Sequence, residues 1–123
     1  MAAVRSSMST GQGTILTGTT SLLTPLVDAV GATALTLDGG DLWQGTFPSN
    51  RDEGKSIIAS MNAVGYDAMT LGNHDFDHDQ SVMKQRAAEA QFPILAANII
   101  EEATGKPPSW VKPYIIKQVN GVK

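Results

Sequence analysis

Apolar positions fall into two alternating kinds of run. Ala32-Thr33-Ala34-Leu35-Thr36-Leu37, Tyr66-Asp67-Ala68-Met69-Thr70-Leu71 and Phe92 to Ile100 are short, apolar or β-branched, and show almost no polar alternation. Such runs predict strands buried on both faces. Between them, Ile57, Ile58, Met61 and Val64 share one helical face over about residues 52–64, and Met83, Ala87 and Ala90 do so over about 79–90. Gly65 stands where a helix-ending glycine belongs. Farther upstream, Thr24-Pro25 followed by Leu26 and Val30 predicts a short helix that ends at Gly31. Strands alternating with helices in this way indicate an α/β fold with a parallel sheet covered on two sides.

The two ends depart from this pattern. Residues 1–20 are rich in Ser, Thr, Gly and Ala without a period and read as a loop or poorly ordered start. A loop is expected through Pro48 and Asn50, and a polar linker from Glu101 to Pro108. Tyr114 to Val119 reads as a fourth strand, followed by Asn120-Gly121, the strongest two-residue hairpin signal. The hairpin's return strand is too short to stand alone. The domain is therefore expected to continue past residue 123.

Composition narrows the class of protein. At 123 residues the chain is one domain's worth, and 41% hydrophobic with 17% charged residues is globular rather than disordered. A net charge of −3, with nine Lys and Arg, gives no general attraction to nucleic acid, so none is expected as a partner. The absence of Cys rules out disulfides and thiolate metal sites, leaving oxygen and imidazole as metal ligands. No apolar run approaches the ~20 residues of a membrane span, and the first residues lack the apolar stretch of a signal peptide. Nothing here sets an oligomeric state.

Two predicted strand ends carry the candidate chemistry. Asp41 follows the first strand and Asn73-His74 the second, with one helix between them. A single βαβ crossover makes those strands parallel, and neighbouring strands lie ~4.8 Å apart. Both ends then fall on the carboxyl edge of the sheet, where open α/β sheets bind ligands. Asp after Gly is commonly only a turn former. A carboxylate, an amide and an imidazole at matching ends of adjacent strands make a more specific signal.

These residues stand in recognisable blocks. Leu37-Asp38-Gly39-Gly40-Asp41-Leu42-Trp43-Gln44-Gly45-Thr46 and Tyr66 to Asp77 (YDAMTLGNHDFD) resemble two blocks of the 5'-nucleotidase family of calcineurin-like two-metal phosphoesterases. Phe92 to Ile99 and Pro113 to Val122 are similar to two further blocks, in the same order. The resemblance covers roughly residues 33–123. It implies a calcineurin-like metallophosphoesterase sandwich of β-sheets flanked by helices, and hydrolysis of nucleotide phosphate esters with two divalent metal ions (zinc, manganese or cobalt). By the same resemblance, Asp41 bridges the metals, Asn73 ligates one of them, His74 contacts the phosphoryl group and Asp77 holds His74. The substrate would be a small-molecule nucleotide, and the location periplasmic, extracellular or cell-surface.

Neighbouring residues receive structural readings. Asp38 is expected to shape the turn, Asp75 (where the family more often has Glu) to be structural, and His78 to lie in a solvated loop. Asp79, where the family often has Gly, is expected to cap a helix. Asn98 could line the site or form a turn. Trp43, Phe47 and Phe76 read as packing residues rather than base-stacking ones. The resemblance also implies an upstream Asp-x-His, a later His and a Gly-His-x-His block, none of which is in this sequence, so residues 21–123 are expected to be a partial catalytic domain cut short at both ends. The 123-residue chain alone is thus expected to be inactive. A 2',3'-cyclic nucleotide phosphodiesterase or a nucleotide-sugar hydrolase shares these motifs, and thiosulfohydrolases fit the Gly-Asn-His block less well. A non-catalytic α/β scaffold or binding module is the alternative of another class.

Overall fold

The first three predicted strands each pair with the strand before them in the chain. In a computed structural model that describes residues 3–7, 34–45 and 47–123, four strands pair in chain order, all in parallel. They are β1 (Ala3–Ser7), β2 (Ala34–Asp38), β3 (Ala68–Thr70) and β4 (Ile94–Leu95). Ala3 stands opposite Ala34, Leu37 opposite Ala68, and Met69 opposite Ile94. The helix expected over residues 22–31 lies outside the described residues. Part of the start read as irregular is the strand β1. Its five residues pair in register with all of β2, and that long-range ladder overrides a local sequence with no strand signal.

Among the described residues three α-helices lie between these strands: α1 (Phe47–Arg51), α2 (Lys55–Val64) and α3 (Gln80–Glu89). The first occupies a segment expected to be loop, and its Ser49 hydroxyl, buried, donates to the Trp43 carbonyl at 2.7 Å. The second starts three residues later than its apolar period suggested. Gly54 takes a left-handed conformation at φ 80°, and the Asp52 carboxylate accepts from Ser56 N at 2.9 Å, so Asp52 serves the helix from outside it. At the other end Gly65, at φ 81°, donates to the carbonyls of Met61 and Asn62, the expected glycine stop.

Asp79 caps α3 as expected, its carboxylate accepting from Ser81 N at 2.7 Å. Its backbone, at φ 120° and ψ 154°, lies in a region essentially reserved for glycine. Strain there costs on the order of 1–3 kcal/mol. Glycine's own entropic cost is about 0.5–1 kcal/mol, and it replaces a cap at a loss of only a few tenths. Asp79→Gly is therefore expected to stabilise the chain by about 1 kcal/mol, read as a higher urea midpoint. A lower midpoint would mean that the cap outweighs the strain.

The core gathers where α2 and α3 meet the sheet. Trp43, Ile57, Ile58, Met61, Met69 and Met83 are buried in one cluster with Phe92, Ile94 and Val111. The Tyr66 and Phe92 rings lie 6.2 Å apart between centroids. Trp43 is thus a packing residue, as expected. Phe47 and Phe76 are not, being 77% and 37% exposed.

Beyond β4 the expected fourth strand is absent, and only a single bridge forms. Ala96 N and Lys112 N donate to Lys112 O and Ile94 O, both at 2.9 Å, which starts a further parallel pairing. The pairing goes no further than the single bridge between Leu95 and Lys112. Tyr114 to Val119 forms no strand, and Tyr114 and Ile116 are exposed. Lys117 instead pairs with Asp67 at 2.9 Å. The turn itself is present: Asn120 and Gly121 both have positive φ (50° and 81°), and Val119 and Val122 exchange two backbone bonds. Among the described residues no helix is long and apolar enough to cross a membrane.

Candidate active site at the carboxyl ends of β2 and β3

Because β2 and β3 are parallel neighbours, the loops that follow Asp38 and Thr70 leave the same edge of the sheet. Two glycines let these loops touch. A Cβ on Gly40, at φ 88°, would meet the Gly72 amide nitrogen and lie 2.7 Å from the Leu71 carbonyl carbon. One on Gly72 would run into the Asp41 carboxylate, 2.5 Å from its Cγ. Any larger residue at either position would wedge the loops apart.

The contact is closed by a buried carboxylate. Asp75, 1% exposed, lies in a short 3₁₀ turn at His74–Phe76. Its Oδ2 accepts from Asp41 N and Gly72 N, each at 2.9 Å, and its Oδ1 accepts from Leu42 N at 3.0 Å. Burial pushes its pKa up, against the three N–H donors that favour the ionised form. The expected structural reading of Asp75 holds, but the residue is more central than the motif suggested. Sequence offered only its place in the block; the burial and the three donors come from the tertiary contact.

Around this centre stand the four candidate residues. Asp41 sits at φ 60°, a left-handed conformation that Asp tolerates better than most residues. Its Oδ1 accepts from His74 N at 2.9 Å, so the two candidate strand ends are joined directly. The ring of His74 pairs through Nδ1 with Asp77 Oδ2 at 2.8 Å. Asp77, through this bond and its charge, raises the His74 pKa above the usual imidazole value. Asn73 opens the 3₁₀ turn with its side chain exposed and not engaged in capping.

The remaining residues sort into support. Asp38 is buried, and its Oδ1 accepts from Gly40 N at 2.7 Å, the turn-shaping role expected. Burial raises its pKa to about 6, opposed by that bond and assisted by the Asp75 charge. His78 is not solvated as expected: it is half-buried, and its Nε2 is enclosed without a hydrogen-bond partner. Asn98 is exposed in a turn after β4. As donors for a divalent ion, Asp41 and Asn73 offer two oxygens on one edge, which suits part of such a site. Among the described residues no three His, Asp or Glu side chains form a metal-binding group.

This architecture is that of the calcineurin-like phosphoesterases. The chain is similar in structure to the calcineurin-like phosphoesterase YfkN from Bacillus subtilis (TM-score 0.66, 23% identity, covering 95% of this chain and 41% of that one). It is also similar to the sulfate thiohydrolase SoxB of Thermus thermophilus, solved with glycerol (TM-score 0.76, 27% identity, 85% and 19%). A 5'-nucleotidase precursor, also from Thermus thermophilus, gives a TM-score of 0.72 at 30% identity, covering 83% and 20%.

Within that class the chain belongs to the 5'-nucleotidase family. Protein UshA from Yersinia enterocolitica is 41% identical to it over 97 residues, and the 5'-nucleotidase of Vibrio cholerae 39% identical over 97. Both matches cover 79% of this chain and 17% of the relative, so the chain spans less than a fifth of the length of these curated relatives. No family model matches the chain.

Proposed function

We propose that this chain supplies one part of a two-metal site that hydrolyses phosphate esters of nucleotides. The observation that carries the reading is the junction of two loops, where the Asp41 carboxylate accepts from His74 N at 2.9 Å and Asp77 holds the His74 ring. Asp41 and Asn73 would act as oxygen ligands, Asp41 shared between two ions of zinc, manganese or cobalt. Such a pair, when bound, activates water and neutralises charge on a phosphoryl group. His74 has Nδ1 engaged by Asp77, which leaves Nε2–H to donate to a phosphoryl oxygen. Its raised pKa favours the cationic, doubly donating form. Asp77 orients the ring and keeps its proton.

Asp41 and Asn73 do not complete a dinuclear set. The rest is proposed to come from elsewhere in the whole protein, and the 123-residue chain alone to be inactive. The SoxB likeness is one of backbone; the Gly72-Asn73-His74-Asp75 stretch and the 39–41% identity to UshA and a 5'-nucleotidase support nucleotides as substrates. An exported location, in the periplasm or at the cell surface, goes with this reading, and cell fractionation tests it. The activity test uses the whole protein that carries this segment. Phosphate release from AMP is expected with Mn²⁺ or Zn²⁺ and is lost in EDTA. Turnover of 2',3'-cyclic AMP or UDP-glucose alone would move the assignment to the neighbouring activities. No turnover of any of the three with either metal would leave a non-catalytic scaffold.

A further inference from the structure

We infer that Asp75 is a positioning residue that fixes the spacing between Asp41 and the Asn73–His74 pair. The inference rests on the ligand reading above. A carboxylate that is 1% exposed is costly to bury unless it is satisfied, and among the described residues no cation pairs with it. Backbone N–H groups satisfy it instead, from both loops at once. One oxygen, Oδ2, takes Asp41 N from the first loop and Gly72 N from the second, each at 2.9 Å. Those nitrogens cannot separate without breaking a bond. Each lies at or beside a proposed ligand: Asp41 itself, and the residue before Asn73. The second oxygen holds Leu42 N at 3.0 Å, which stops the first loop from pivoting about Asp41.

The geometry also explains why a neutral residue would not serve. An amide of the same shape offers one acceptor oxygen, and its NH₂ would face N–H donors. Either orientation of Asn at this position loses at least one of the three bonds. The two glycines allow the loops to touch but do not hold them together. Positional control therefore falls to Asp75, beside the single bond from His74 N to Asp41 Oδ1. Groups that hold metal ligands in place typically change metal affinity about 10- to 100-fold when altered.

The test compares the whole protein with its Asp75→Asn and Asp75→Glu variants. Hydrogen exchange is followed in peptides covering residues 39–46 and 71–79, with residues 55–64 of α2 as the control, and bound Mn²⁺ is titrated by electron paramagnetic resonance. Asp75→Asn is expected to raise exchange in the two loop peptides at least tenfold, leave the α2 peptide unchanged, and weaken Mn²⁺ binding about tenfold or more. Asp75→Glu keeps two acceptor oxygens and is expected to stay within a few-fold of wild type in both readouts. If Asp75→Asn fails to fold, Asp75→Glu decides. Loop exchange and Mn²⁺ affinity kept together, or lost together, support the inference; loops loosened at unchanged affinity overturn it. Wild-type Mn²⁺ binding that persists unchanged in a folded Asp75→Asn variant would also overturn it, leaving the ligand reading intact. If Mn²⁺ binding survives Asp41→Ala and Asn73→Ala as well, the ligand reading itself fails and this inference with it.

Discussion

In the whole protein, His74→Ala should lower kcat about a hundredfold or more while the content of bound metal stays near normal. The expectation follows from what the His74 side chain touches. Its ring is held through Nδ1 by Asp77 at 2.8 Å. Its backbone N–H, which the substitution preserves, is what contacts Asp41. Removing a preorganised donor to developing negative charge typically costs about 10²- to 10³-fold in kcat. Asp41→Ala should behave oppositely and empty the site, and Asn73→Ala should weaken one ion and recover in excess metal. Asp77→Asn should lose less activity than His74→Ala. Because Asp77 is the main cause of the raised His74 pKa, that variant should also begin to lose activity at lower pH on the alkaline side. Steady-state kinetics on AMP beside metal analysis separates these cases. A His74→Ala protein that loses metal yet keeps kcat at saturating metal would make His74 a ligand.

The second large effect is one of stability. Asp38→Asn should stabilise the metal-free chain at pH 7 by up to about 3 kcal/mol. The Asp38 carboxyl, buried at the end of β2, has a pKa raised from 3.8 to about 6. Between those values the folded chain holds a proton that the unfolded chain releases, so stability falls as pH rises through this window. A shift of about two units corresponds to about 3 kcal/mol, fully felt above the folded-state value. Asn removes the charge, and its carbonyl can still accept from Gly40 N, the bond Asp38 makes at 2.7 Å. Urea unfolding in EDTA at pH 7 and pH 4 tests this, and the advantage of Asn should nearly vanish at pH 4. An equal gain at both values would show that something other than the buried charge is responsible.

What the sequence revealed and what it hid divide along physical lines. The helices α2 and α3 were legible because their apolar residues repeat with the helical period, and the strands β2 and β3 because they are short, nearly continuous apolar or β-branched runs. Gly65 marked a helix end through a conformation that only a few residues tolerate. Asp41, Asn73, His74 and Asp77 were legible as strand-end residues, and the contact between Asp41 and His74 bears out their proximity. The strand β1 was not legible, because its pairing lies with β2 and leaves no trace in its own composition. The Tyr114–Val119 strand was read from local preference, which says nothing of a partner, and the pairing with β4 ends at Lys112. Phe47 was assigned to packing by residue type, yet it is 77% exposed on a five-residue helix. His78 was misjudged the other way, since a neighbour's enclosure cannot be read from a polar loop.

The strand order has a kinetic consequence. With β1, β2, β3 and β4 side by side in the order of the chain, each strand docks on the one made just before it. Each loop to be closed spans a single crossover, yet every pairing is parallel and joins non-local segments, so loop closure must be met before each pairing rewards it. As the polypeptide emerges during synthesis, the edge that joins Asp41 to His74 can be in place once β3 and its following turn have formed. The later arrival of β4 then locks a geometry already drawn, so slow or faulty pairing beyond Pro93 would erode the lifetime of that edge rather than its shape.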